Sequence, residues 1–133
     1  MTIYTKSDEE TKAFGGEFAK QIKVGEVLCF WGDLGAGKTT LIQGIAKGLG
    51  IKGRIASPTF IIVRRHKLAE GFLWHIDLYR LENIAQAKDI GIEEILADKS
   101  GVVLIEWPEK IKEILPRPRW DIRIQTIGEN KRQ

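Results

Sequence analysis

Eight consecutive residues, Gly32-Asp33-Leu34-Gly35-Ala36-Gly37-Lys38-Thr39, concentrate the chemistry of this chain. They fit the pattern G-x-x-x-x-G-K-[ST], a loop whose backbone N–H groups cradle phosphate oxygens. In such a loop Lys38 reaches the β- and γ-phosphates, and the Thr39 hydroxyl takes one Mg²⁺ position. A helix beginning directly after the loop, at Thr40, adds partial positive charge where the phosphates sit. Upstream, Glu26-Val27-Leu28-Cys29-Phe30-Trp31 is a short apolar run that can be a buried strand. Strand, glycine loop and helix together predict the binding of a nucleoside triphosphate.

A phosphate loop of this kind needs an acid at the end of another strand, to hold Mg²⁺ or orient an attacking water. Two residues qualify. Glu106 ends Val102-Val103-Leu104-Ile105, and Asp77 ends Phe72-Leu73-Trp74-His75-Ile76. Ligands of open α/β sheets sit beyond the carboxyl ends of the strands. Glu106 ends the cleaner parallel-strand candidate, whereas Asp77 is expected on a hairpin that still reaches the rim. Whether Asp77 is base or metal-side ligand stays open, and either acid alone could be a surface charge or helix cap.

Thr59, after Ser57-Pro58, could sense the γ-phosphate or belong to an ordinary Ser-Pro turn. Arg80 could neutralise transition-state charge or form a surface ion pair. His66 and His75 show no metal-ligand spacing. Cys29, the single cysteine, reads as packing inside its strand. Trp31, Trp74 and Trp120 read the same way, while Trp107 directly follows Glu106 at the nucleotide rim. The base points to adenine: the only Asn-Lys pair, Asn130-Lys131, continues as Arg132-Gln133 and makes no N-K-x-D element. A small-molecule kinase is the alternative, although 133 residues leave little for a lid and an acceptor pocket.

These residues need a scaffold. Ser7-Asp8-Glu9-Glu10 is a capping box for a helix running to about Ile22, with Phe14, Phe18 and Ile22 on its buried face. Gly15-Gly16 interrupts that helix, which implies close packing or a nearby ligand. Leu41, Ile42, Ile45, Ala46 and Leu49 form the apolar stripe of the second helix, with Gly50 as its stop. Gly44 is expected to let it approach a sheet. Phe60–Val63 and Phe72–Asp77, joined through Ala69-Glu70-Gly71, read as a hairpin added to a parallel sheet. Asn83 caps a helix over 84–89, Gly91 breaks it, and 92–97 continues. Pro108 suits the first turn of a helix through Ile114. Trp120, Ile122 and Ile124 alternate with polar residues as a half-buried edge strand. One domain over 1–133 accommodates all of this.

Composition sets the remaining bounds. The chain is 43% hydrophobic and 29% charged, as an ordinary globular protein is. No apolar run has bilayer length, and the N-terminus lacks the apolar core of a signal peptide. A cytoplasmic location and no membrane association are expected. The net charge of +3 and pI near 9.0 are mild. Basic residues collect late, from Lys110 and Lys112 to Arg132. They could serve an acidic partner such as RNA, or form a solvated face.

Several blocks in this order resemble the bacterial YjeE/TsaE family, small P-loop ATPases of tRNA threonylcarbamoyladenosine synthesis. The blocks are Gly32 through Thr40, Ser57-Pro58-Thr59-Phe60, His75-Ile76-Asp77-Leu78-Tyr79-Arg80-Leu81, Gly91-Ile92 and Glu106-Trp107-Pro108. The resemblance implies a P-loop NTPase-like three-layer α/β fold, its central parallel sheet flanked by antiparallel strands. It implies ATP and Mg²⁺, with Thr39 and Glu106 on the metal side and Asp77 essential for hydrolysis. It adds Thr11, Thr40, Thr59, Trp107 and Arg132 to the candidate nucleotide contacts. Family members hydrolyse ATP slowly by themselves and work with TsaD and TsaB, which modify adenosine 37 of tRNAs reading codons that begin with A. tRNA would then be met only through that complex.

Overall fold

Unbroken apolar runs become the centre of a sheet, because both of their faces need cover. In the computed structural model, which describes residues 2–33, 35–51, 63–128 and 131–133, two such runs lie side by side. They are β1 (Val27–Trp31) and β4 (Gly101–Glu106), paired in parallel with Val27 opposite Val103 and Phe30 opposite Glu106. The described residues divide into two compact units.

The first unit comprises Lys23–Trp31 and Pro58–Ile122. Its sheet has five strands in the order β2-β3-β4-β1-β5, adding β2 (Val63–Lys67), β3 (Phe72–Asp77) and β5 (Trp120–Arg123). β3 is antiparallel to β2 and parallel to β4. On one face Cys29, Ile76, Val103 and Ile105 pack with Leu78, Leu81 and Ile111. Ala87 of α3 (Ile84–Asp89) and Ile92, Ile95 and Leu96 of α4 (Ile92–Leu96) complete that cluster. Residues of the opposite parity, Leu28, Phe30, Leu73 and Leu104, are fully buried too. The Asn83 side chain caps α3 by accepting from the Gln86 N–H at 3.0 Å.

One boundary differs from the sequence pattern. Among the described residues β2 runs from Val63 through Arg64, Arg65 and His66 to Lys67, rather than ending at Val63. Pairing with β3 outweighs local polarity here, and the Arg65 guanidinium lies 4.6 Å from the Phe72 ring centroid, a cation–π contact. Phe60–Ile62 lie outside the described residues. Pro108–Ile114 forms 3₁₀ turns instead of an α-helix, broken at Ile111 (φ −129°, ψ 30°), whose side chain is fully buried in the core.

The second unit comprises Met1–Ile22, Gly32–Ser57 and Arg123–Gln133. α1 (Asp8–Phe18) starts as its capping box requires, with the Ser7 hydroxyl accepting from the Glu10 N–H. It gives way to a 3₁₀ turn at Ala19–Gln21, so the helical run ends one residue before Ile22, which is extended. α2 (Lys38–Gly48) stops at Gly50, whose φ of +97° is left-handed. The C-terminus adds a hairpin, β6 (Thr126–Gly128) with β7 (Lys131–Arg132), and Arg132 exchanges backbone hydrogen bonds with Thr5 at 2.9 and 3.0 Å.

Glycines set the approach of α1 to α2. A Cβ on Gly15 would lie 2.8 Å from the Leu41 carbonyl oxygen and 2.9 Å from the Ile45 nitrogen. Close packing therefore explains Gly15. Gly44 faces the Lys12 backbone of α1, which corrects the expectation that it serves an approach to the sheet. Gly16 differs from both, since its Cβ would meet only the Gly44 carbonyl oxygen at 3.9 Å. Gly15→Ala should destabilise the chain by about 1–3 kcal/mol, because the backbone must shift to admit the methyl. Gly16→Ala should instead be neutral or stabilising by up to about 1 kcal/mol, through helix propensity. Urea unfolding of the two variants side by side checks this opposite pair of signs. Among the described residues no helix is long and apolar enough to cross a membrane.

Candidate nucleotide site: phosphate loop and acid pair

The phosphate loop follows β1 in sequence and closes onto the first turn of α2. Gly35 (φ +80°) and Gly37 (φ +99°) are left-handed, a conformation that turns successive N–H groups toward one side and that residues with a Cβ avoid. The Ala36 N–H donates to the Asp33 carbonyl at 3.1 Å, and Gly37 is the N-cap of α2. Lys38 is only 5% exposed, and its Nζ donates to the Gly32 carbonyl at 2.6 Å. The ammonium is thus folded back along the loop that it serves. Thr39 and Thr40 are half-buried in the same helical turn, and Leu34 lies outside the described residues.

Two further candidates belong to this unit. Arg132 packs on the loop: a Cβ at Gly37 would lie 3.0 Å from its Nε. The backbone exchange with Thr5 holds β7 in that place. Thr11 is buried, its hydroxyl donating to the Ser7 carbonyl at 3.1 Å and lying 2.7 Å from the Thr5 hydroxyl. Thr59 falls outside the described residues.

The acids belong to the sheet unit, at the carboxyl ends of adjacent parallel strands. Asp77 and Glu106 are register partners, which joins the two positions that the sequence left on separate elements. Asp77 reaches the rim because its hairpin strand is also a central parallel strand. It is half-buried, and its Oδ1 accepts from the Tyr79 N–H at 3.0 Å. Glu106 is 3% exposed, with Oε2 2.8 Å from Nε2 of the fully buried His75. Sequence reasoning set His75 aside for want of metal spacing. Strand alternation was the signal it missed, since His75 and Asp77 at i and i+2 share one face. Arg80 is exposed in the turn after β3.

Trp107 is the backbone exception. Its φ of 61° and ψ of 50° are left-handed, in a bulky residue and directly before Pro108. That conformation costs about 1–2 kcal/mol and persists where the surroundings impose it, characteristically at functional sites. Its ring lies 5.0 Å from that of Tyr79, which is 48% exposed. The two carboxylates at these strand ends are hard oxygen donors, a kind that suits Mg²⁺ better than softer metals.

Cys29 has no part in this chemistry. Burial pushes its thiol up to about 12, with the Asp121 carboxylate adding to the effect and Arg119 opposing it. Native protein at pH 8 should therefore resist thiol alkylation, and reaction should appear only on unfolding. Mass spectrometry of iodoacetamide-treated protein with and without urea reads this out. Rapid native labelling would contradict the packing of β1.

The chain matches the family described as threonylcarbamoyl adenosine biosynthesis protein TsaE over residues 5–133. The tRNA threonylcarbamoyladenosine biosynthesis protein TsaE of Bacillus subtilis is 42% identical over 129 residues, 97% of this chain and 80% of that protein. Its namesake from Synechocystis sp. is 38% identical over 117 residues, 86% of this chain and 74% of that one. The crystal structure of Bacillus subtilis YdiB aligns with a TM-score of 0.80 at 39% identity, covering 98% of this chain and 79% of its own. That likeness agrees with an α/β fold built on a mixed, mostly parallel sheet. With the match running through nearly the whole sequence, the chain belongs to the TsaE family of P-loop proteins.

Proposed function

We propose that this chain is an ATP-binding, slowly ATP-hydrolysing accessory subunit of tRNA threonylcarbamoyladenosine synthesis. It supports threonylcarbamoylation of adenosine 37 in tRNAs reading codons that begin with A, acting on the TsaB–TsaD complex in the cytoplasm. The observation that carries the nucleotide part is the loop from Gly32 to Thr39, with left-handed glycines and a buried Lys38 folded along it. The tRNA part is supported by the names of its relatives. The missing guanine element favours ATP over GTP.

Each residue has a role in this reading. The loop N–H groups and Lys38 bind and orient the β- and γ-phosphates. Thr39 and Glu106 supply metal-side oxygens, and Asp77 orients the attacking water or completes the metal shell. Bound Mg²⁺ would neutralise charge developing on the phosphate oxygens. Trp107, held in its strained conformation beside Tyr79, and Arg132 against Gly37 are the candidate contacts to the rest of the nucleotide. Slow turnover by the isolated subunit fits a control role, in which partner subunits complete the hydrolytic arrangement.

Reconstitution tests the proposal. A reconstituted TsaB–TsaD system supplied with tRNA and ATP should modify tRNA through repeated turnovers only when this chain is added. ATP hydrolysis should rise when the partners are present, with no phosphorylated small molecule formed. Full modification without the chain would end the reading, and a phosphorylated acceptor would favour a kinase.

A further inference from the structure

We propose that His75 is the positioning residue of Glu106, its Nε2–H fixing the carboxylate in the orientation that a metal-side ligand needs. The inference rests on the reading of Glu106 as a metal-side residue. His75 is fully buried on β3, with Leu104 of β4 as its register partner and Glu106 two residues further along β4. Leu73, on the same face, is also fully buried. A leucine or phenylalanine would fill such a place without the cost of burying polar ring nitrogens. The ring is held from one end only. Nε2 lies 2.8 Å from Glu106 Oε2, while Nδ1 is buried with no hydrogen-bond partner among the described residues.

Those two facts define the arrangement. Toward an ionised carboxylate, which only accepts, Nε2 is the nitrogen placed to donate. The contact with Glu106 is thus what accounts for a histidine here. Both residues stand on adjacent central strands, so the carboxylate is aimed by the most rigid part of the sheet. A partner that orients a metal-ligating group typically changes metal affinity or activity about 10–100-fold when it is lost. Buried pairs of this sort are weak contributors to net stability, which makes stability alone a poor reason for keeping one.

Mn²⁺ is the probe, titrated by electron paramagnetic resonance into the full chain saturated with ADP. His75→Met fills the space without a donor, His75→Gln returns an amide N–H near the place of Nε2, and Glu106→Gln is the reference. We expect His75→Met to weaken Mn²⁺ binding about 10–100-fold and His75→Gln to stay close to the unsubstituted chain. ADP affinity without metal should be equal in all. Unchanged Mn²⁺ binding in His75→Met, with Glu106→Gln weakened, overturns the positioning role and leaves the metal-side reading intact. Unchanged binding in Glu106→Gln removes that reading and the inference with it. If His75→Met does not fold, His75→Gln is compared with His75→Asn, whose amide falls short: loss in Asn alone supports the role, and equal behaviour overturns it. Nitrogen-15 NMR of the folded chain should show His75 protonated at Nε2, and a proton on Nδ1 instead would also overturn it.

Discussion

Lys38→Ala should weaken binding of ATP by at least about 100-fold. On the proposed reading the ammonium is the loop cation that bridges the β- and γ-phosphates, and a charge-assisted hydrogen bond contributes about 1.5–3 kcal/mol. Losing two such bonds removes roughly 3–6 kcal/mol, or about 10²–10⁴ in affinity. The left-handed glycines and the N-terminus of α2 would remain, so weak, less selective phosphate binding should survive. Lys38 Nζ also donates to the Gly32 carbonyl, and its removal could simply loosen the loop. Calorimetric titration with ATP, ADP and AMP separates the two causes. A missing phosphate contact penalises ATP far more than AMP, whereas a disordered loop penalises all three alike. Unchanged ATP affinity would remove the P-loop assignment.

The sequence carried the local half of this architecture. The octapeptide, the Ser7 and Asn83 caps, the glycine breaks at Gly50 and Gly91, and the apolar runs of β1 and β4 each follow from neighbouring residues. Local chemistry could not decide what depends on pairing. Arg64 to Lys67 form a strand because β3 lies beside them, despite a composition that reads as a solvated loop. Asp77 reaches the same rim as Glu106 because one strand serves both a hairpin and the parallel sheet. The C-terminal hairpin has strands of three and two residues, too short for any period to register. Arg132 reaches Gly37 through tertiary contact alone, and only the family resemblance pointed to it. His75 shows the limit most plainly. Its partner Glu106 lies 31 positions away, beyond the reach of any local spacing.

Asp77→Asn and Glu106→Gln should still bind ATP yet fail to support tRNA modification. The amide variants are the informative ones, because the alanine variants disturb more than charge. Glu106→Ala would leave the buried Nε2–H of His75 unpartnered, which costs about 1–3 kcal/mol. Asp77→Ala would remove the acceptor of the Tyr79 N–H and loosen the turn beneath Trp107. Asparagine and glutamine keep an oxygen for each of these contacts while losing the negative charge. With shape kept and charge lost, hydrolysis should fall about 10²–10⁴-fold, the usual contribution of a positioned acid or base. ATP affinity should change far less, since the proposed phosphate contacts are those of Lys38 and the loop N–H groups. The two variants should also diverge in metal dependence. Raised Mg²⁺ should partly restore Glu106→Gln if its defect lies in metal affinity. It should do nothing for Asp77→Asn if that residue orients water, and rescue both if the two acids share the metal. Turnover measured across Mg²⁺ concentrations, beside modification in the reconstituted system, therefore decides the role that the sequence left open for Asp77. Full modification by either amide variant would show that the subunit works through nucleotide binding alone.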